Sequence, residues 1–104
     1  MAHPNEDRQA LENTIQAIRS AYEAQAAVIR AIANPQDAYE LATRLRTELD
    51  PLLTEAGQLR AQMVRRVWES EPMSLSALGR RIGVSKARAD QLIRAAQAKG
   101  KATR

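Results

Sequence analysis

A chain of 104 residues has the length of about one small domain, and its lack of cysteine excludes disulfides, thiolate metal sites and a cysteine nucleophile. With three aromatic residues and no Phe, its apolar content is mainly aliphatic, which favours packed helices over a β-sandwich. The net charge of +4 divides into −4 for residues 1–56 and +8 for residues 57–104, which predicts two regions with separate tasks.

The first predicted element is a long helix from about residue 5 to residue 33. Asn5 is its expected N-cap, and acidic residues follow at the positive end of the helix dipole. Apolar residues then recur at alternating steps of four and three, as in a coiled coil, with one polar interruption. We call these residues the α1 seam and expect them to mediate dimerisation. The α1 seam comprises Leu11, Ile15, Ile18, Tyr22, Gln25, Ile29 and Ile32.

The α1 seam has two interpretations. It can pack against the next helix of the same chain, or it can form the interface of a dimer. We expect both, with two helical hairpins forming a four-helix bundle. Gln25 then sets the register of the pairing or lies at the edge of the seam. The structural alternative is a monomer whose long helices cover each other.

Asn34 and Pro35 mark the start of a second helix. Pro35 disfavours helical backbone at Asn34 and suits the first turn of a helix, which Asn34 can cap. Because the connection is short, we expect the second helix to fold back on the first and form an acidic hairpin over residues 1–56. Pro51 either kinks this helix or, with Asp50 as N-cap, starts a separate one. The apolar stripe continues in phase across Pro51, which favours the kink.

A short third helix is predicted after Pro72. Ser74 is its expected N-cap, and it runs to Ile82. Gly83 fits a left-handed exit from this helix. Gly79 has no side chain, so two helices can approach closely at that point.

A basic fourth helix follows, with Ser85 as its N-cap. It is predicted to run from Lys86 to about Lys99 and to end at Gly100. Its apolar face and that of the third helix are expected to form a trihelical core with the preceding long helix. The predicted contribution of that long helix is Leu59, Met63, Val67 and Trp68.

The solvent side of the fourth helix carries side chains that can contact DNA. Gln can bond an adenine edge and Arg a guanine edge, and groups at a helix N-terminus can reach phosphate. Arginines on the third helix can contact the flanking backbone. Asp90 can accept from a cytosine amino group or pair with Arg94, and we favour the pair. The predicted DNA-binding residues are Arg80, Arg81, Ser85, Lys86, Arg88, Gln91, Arg94 and Lys99.

The stretch SLSALGRRIGVSKARADQLIRAA resembles the helix-turn-helix in the promoter-element-reading region of bacterial sigma factors. The shared features are L-x-x-L-G-R-R-I-G-V-S, Arg88 three residues after Ser85 and Gln91 three residues after Arg88. The stretch looks most like the small sigma-like proteins of actinobacteria and their plasmids and phages, over about residues 73–98. The resemblance implies that Lys86, Arg88 and Gln91 face bases or phosphates. Because the chain lacks the aromatic-rich segment of a whole sigma factor, we expect a repressor, an activator or a replication or partition protein.

These patterns predict an all-α protein that binds double-stranded DNA as a homodimer through a basic region, residues 57–104, with residues 86–98 as recognition helix. The alternative is an adaptor whose hairpin binds protein and whose sigma-like region contacts RNA polymerase. We expect no enzyme activity, cofactor or metal, because the sequence contains none of the common catalytic or phosphate-loop motifs. The polar N-terminus and the absence of a membrane-length apolar run predict a cytoplasmic protein with no membrane partner.

Overall fold

The computed structural model describes the backbone of residues 3–102 and the side chains as far as Gln97. Its described residues form four helices and no strand, so the all-α prediction is confirmed. The helices are α1 (Pro4–Arg30), α2 (Pro35–Ser70), α3 (Leu75–Ile82) and α4 (Lys86–Ala102). The chain divides into two compact units, Met1–Glu48 and Leu49–Arg104, and the division lies inside α2. Among the described residues, no helix is long and apolar enough to cross a membrane.

α1 begins one residue earlier and ends three residues earlier than predicted. Pro4 occupies its first turn, where the fixed φ of proline suits a helix and the missing N–H has no intrahelical acceptor to lose. The N-cap is His3, which makes no side-chain capping bond, so the prediction of Asn5 as N-cap is wrong. At the other end Ala31 is the C-cap, and Ile32 therefore lies beyond the helix.

Little of the first unit is buried. Ala26 is buried, and among the described residues of this unit half-buried side chains occur only around the end of α1 and in the first part of α2. The N-terminal members of the α1 seam are exposed by between 41% and 62%. These members are Leu11, Ile15, Ile18 and Tyr22. Packing within the described chain therefore does not bury this part of the seam.

α2 is one continuous helix of 36 residues. Asn34 caps it as predicted, because its Oδ1 accepts from the backbone N–H of Gln36 at 2.8 Å and of Asp37 at 3.3 Å. Pro51 lies inside the helix and cannot donate a hydrogen bond to the carbonyl of Thr47. This one missing bond does not end the helix, so the alternative in which Pro51 starts a separate helix is wrong.

The core of the second unit is formed by α2, α3 and α4. The buried cluster contains Ala61, Val64, Leu78, Ala89, Leu92, Ile93 and Ala96. Val67 and Trp68 pack against it as predicted, but Leu59 and Met63 are 57% and 39% exposed, so their assignment to the core is wrong. Because successive helical residues turn by about 100°, Ala61 lies nearly opposite Leu59 on α2 and faces the cluster instead.

α4 extends further than the sequence suggested. The helix continues through Gly100 to Ala102, so the prediction that Gly100 ends it is wrong. Glycine lowers helix stability by about 1 kcal/mol relative to alanine, but it does not prevent helical backbone.

Candidate nucleic-acid interface

The connection between α3 and α4 is a three-residue turn with defined hydrogen bonds. Ser74 begins α3 by accepting the backbone N–H of Ala77 on its Oγ at 3.1 Å. Gly83 ends the helix with a φ of 77°, in the left-handed region that favours glycine. Both roles were predicted from the sequence. The turn between α3 and α4 therefore consists of Gly83, Val84 and Ser85.

Gly79 holds this turn close to α3. It is buried, and its carbonyl accepts the backbone N–H of Val84 at 2.8 Å. A Cβ atom at Gly79 would lie 2.7 Å from the carbonyl oxygen of Val84 and 3.2 Å from that of Ser85. The predicted close approach at Gly79 is therefore present, and the group that approaches is the backbone of the turn. This contact restricts the direction in which α4 leaves the turn.

α4 presents one apolar and one polar face, as the sequence predicted. Its buried side chains are Ala89, Leu92, Ile93 and Ala96. Four of its exposed polar side chains, which we call the polar face of α4, are Lys86, Arg88, Gln91 and Arg94. Three of these four carry positive charge, and Gln91 supplies an amide that can both donate and accept hydrogen bonds. The polar face of α4 therefore combines cations with the donors and acceptors that can bond base edges in a major groove.

The start of α4 is ordered by Ser85. The Oγ of Ser85 accepts the backbone N–H of Arg88 at 3.1 Å, which confirms the predicted cap. Its carbonyl accepts the backbone N–H of Ala89 at 2.9 Å. The adjacent Lys86 is exposed at the positive end of the helix dipole. This end of α4 has the electrostatic character that favours a phosphate group.

Two side-chain pairs lie along α4. The Nε of Arg94 is 3.1 Å from the Oδ2 of Asp90, so the favoured pairing of Asp90 with Arg94 is present. The Nη1 of Arg88 donates to the Oε1 of Gln91 at 3.4 Å, which is a long hydrogen bond. Both pairs join exposed side chains to neighbours one helical turn away. They limit side-chain freedom without removing either cation from solvent.

The two arginines of α3 differ in their surroundings, and Arg81 has a partner that the sequence did not indicate. Both are exposed, but Arg81 forms an ion pair and hydrogen bond with Glu71, in the connection before α3. Sequence reasoning missed Glu71, because a separation of ten residues across Pro72 has no helical spacing that would indicate contact. Arg80 remains exposed near the C-terminal end of α3. Arg81 is therefore already paired with a carboxylate, and contact with DNA phosphate must compete with that pair.

The remaining predicted residues fall into two groups. The side chain of Lys99 lies outside the part that the structure describes. In the α1 seam Gln25 is exposed, whereas Ile29 and Ile32 are half-buried.

An open apolar depression on α1 is lined by Ile15, Ile18, Arg19 and Tyr22. No cluster of three or more metal-ligating side chains occurs among the described residues.

Comparison with known proteins gives no relative. No family model, no curated protein and no solved structure matches the chain.

Proposed function

We propose that the protein binds double-stranded DNA sequence-specifically as a homodimer and regulates transcription, with the polar face of α4 in the major groove. The observation that carries this proposal is that face, exposed opposite a buried apolar face of the same helix. The net charge of +8 in residues 57–104 adds the long-range attraction that duplex DNA requires. The resemblance of residues 73–98 to sigma-like helix-turn-helix proteins supports the same function. In this proposal the protein is cytoplasmic and has no catalytic role.

The contacts divide by chemistry. We assign Lys86, Arg80 and Arg81 to phosphate contacts. Such contacts fix the orientation of the protein on the duplex and supply affinity that does not depend on DNA sequence. Arg88 and Gln91 are assigned to base edges, guanine and adenine respectively. Residues 1–56, with the α1 seam, are assigned to dimerisation. A two-fold dimer places its recognition helices on half-sites about 34 Å apart, or a multiple of that distance.

The first experiment selects fragments of genomic DNA with the purified full-length protein. We expect an inverted repeat to be enriched. Binding to it should weaken steeply with salt, because about six phosphate contacts in a dimer give a slope of log K against log salt near −5. No affinity for any duplex at low salt would overturn the proposal.

Three substitutions then separate the assigned roles. Arg88→Ala and Gln91→Ala should each reduce discrimination for the selected site by about 1–3 kcal/mol, because each removes a base contact. Arg80→Ala should weaken binding to all duplexes by a similar factor and make the salt slope shallower. Arg30→Ala, which removes an exposed cation from α1, is the control and should leave the slope unchanged.

The second candidate is a protein-interaction adaptor that contacts RNA polymerase. The observation that favours it is the exposure of Leu11, Ile15, Ile18 and Tyr22 on one helix, because exposed apolar patches commonly mark protein contacts. Retention of RNA polymerase by the full-length protein, without retention of duplex DNA, would favour the adaptor. The reverse result would favour the DNA-binding proposal.

A further inference from the structure

The second unit exposes an apolar stripe on α2. We call Leu49, Leu52, Ala56, Leu59 and Met63 the α2 stripe. All five are exposed, and the three leucines remain accessible by between 41% and 60%. Leu53, beside the stripe, is 75% exposed. A contiguous row of this kind is uncommon on a monomeric protein and indicates a surface that another chain covers.

The α2 stripe is separate from the core of its own unit. Val67, one turn beyond Met63, lies at the edge of the stripe and also packs against this core, whereas Ala61, Val64 and Trp68 lie on another side of the helix. At about 100° per residue, the stripe is centred roughly 130° around the axis from these residues. α2 therefore has two apolar faces, and α3 and α4 cover only one of them.

The spacing of the stripe is that of a coiled coil. Its members follow one another at steps of three, four, three and four, which is the heptad pattern of a and d positions. Leu49, Ala56 and Met63 occupy a positions, whereas Leu52 and Leu59 occupy d positions. In this register Glu55 occupies a g position and Arg60 the following e position.

The flanking charges indicate the partner. In a parallel pair of identical helices, a g residue of one copy faces the e residue five positions later in the other. Glu55 then faces Arg60 of the second copy, twice by symmetry. In an antiparallel pair g faces g and e faces e, so Glu55 meets Glu55 or Gln62 and no opposite charges meet. The surface is therefore complementary to itself in the parallel orientation alone.

We propose that the α2 stripe is the interface of a parallel, in-register pair with a second copy of this chain. The proposal deepens the proposed function, because it rests on the homodimer and assigns a contact within the second unit. A parallel pair places the two-fold axis along α2, so both α3–α4 segments lie at the same end. One continuous duplex can then meet both polar faces of α4, as an inverted repeat requires.

Single cysteines test the register directly. The chain has no cysteine, so Leu52→Cys and Leu59→Cys each introduce one thiol at a d position. In the proposed pair, each thiol faces its own copy at the separation that a disulfide allows, and oxidation should link both variants efficiently. Thr54→Cys, exposed on the opposite side of α2, is the matched control and should link poorly.

The outcomes separate the possible occupants of the surface. Linkage at both d positions, with little at Thr54→Cys, supports the proposal. Linkage at one d position alone, or at neither, indicates an antiparallel pair or another occupant, and either result overturns the proposal. The measurement is made without DNA, so a failure here leaves the DNA-binding assignment intact, and a failure to bind DNA leaves the linkage pattern unaffected.

Charge reversal gives a second measurement, by sedimentation of otherwise unmodified protein. Glu55→Arg or Arg60→Glu alone should weaken self-association by roughly tenfold, because each places like charges opposite one another at two symmetric positions. Combining both substitutions should restore association. Equal association in all four proteins, or a wild type that stays monomeric at micromolar concentrations, would overturn the proposal.

Discussion

We expect the substitution Gly79→Ala to destabilise the protein, because Gly79 lies close to the backbone of the turn after α3. Gly79→Ala adds a single methyl group, which would lie 2.7 Å from the carbonyl oxygen of Val84 and 3.2 Å from two backbone atoms of Ser85. These are backbone atoms of a turn that is itself hydrogen-bonded to Gly79, so the turn must move. Overpacking of this kind destabilises proteins by about 1–3 kcal/mol, or roughly 5- to 150-fold in the unfolding equilibrium.

The matched control is the same substitution at Gly57. This glycine lies inside α2, and a Cβ there would meet nothing within 4 Å. Gly57→Ala should therefore stabilise the protein, by up to about 1 kcal/mol, because alanine has the higher helix propensity. The two variants change composition identically and should move stability in opposite directions.

Urea unfolding followed by circular dichroism measures both effects. Wild type and variants should be compared at one protein concentration, because self-association adds to apparent stability. The midpoint should fall for Gly79→Ala and rise for Gly57→Ala. A Gly79→Ala protein as stable as wild type would refute the close approach of the turn to α3, and with it the reason given for the direction of α4.

Three further predictions concern the same unit. Gly83→Val should lower both the stability of the protein and its DNA binding, because Gly83 has a positive φ. Gly83→Asn should lower both less, and the melting temperatures of the two variants test this order of stability. Leu78→Ala should destabilise by about 2–5 kcal/mol in urea unfolding, since Leu78 is fully buried, and a loss below 1 kcal/mol would contradict the core assignment. Glu71→Gln should release Arg81 and raise affinity for all duplexes at low salt by up to about fivefold, with little change in stability. Unchanged affinity would exclude Arg81 from the interface.

Local features were the most predictable from sequence. Asn34, Ser74 and Ser85 cap helices as expected, because a cap depends on one side chain and a backbone N–H two or three residues away. Gly83 adopts the expected left-handed backbone for a similarly local reason. The prediction for the start of α1 was wrong, also for a local reason. Proline suits the first turn of a helix, so α1 begins at Pro4, ahead of the expected N-cap Asn5.

The candidate site was predictable in one part and not in another. Ala89 and Leu92 had to be buried together, because helical spacing places them on one face, and this left the polar face of α4 to solvent. The partner of Arg81 could not be predicted in the same way. Glu71 reaches it across a connection without periodicity, and only folding brings the two charges together.

Short-range patterns in the sequence predicted the four helices of the described residues, the N-caps of α2, α3 and α4, and the separation of apolar from polar side chains on α4. These properties depend on hydrogen bonds and spacings within a few residues of each other. Tertiary structure alone decided which side of α2 forms the core. α2 carries apolar residues on two sides, and helical periodicity is equally satisfied by Leu59 or Ala61. The face with Ala61 and Val64 is the one that α3 and α4 cover, and the α2 stripe therefore remains exposed.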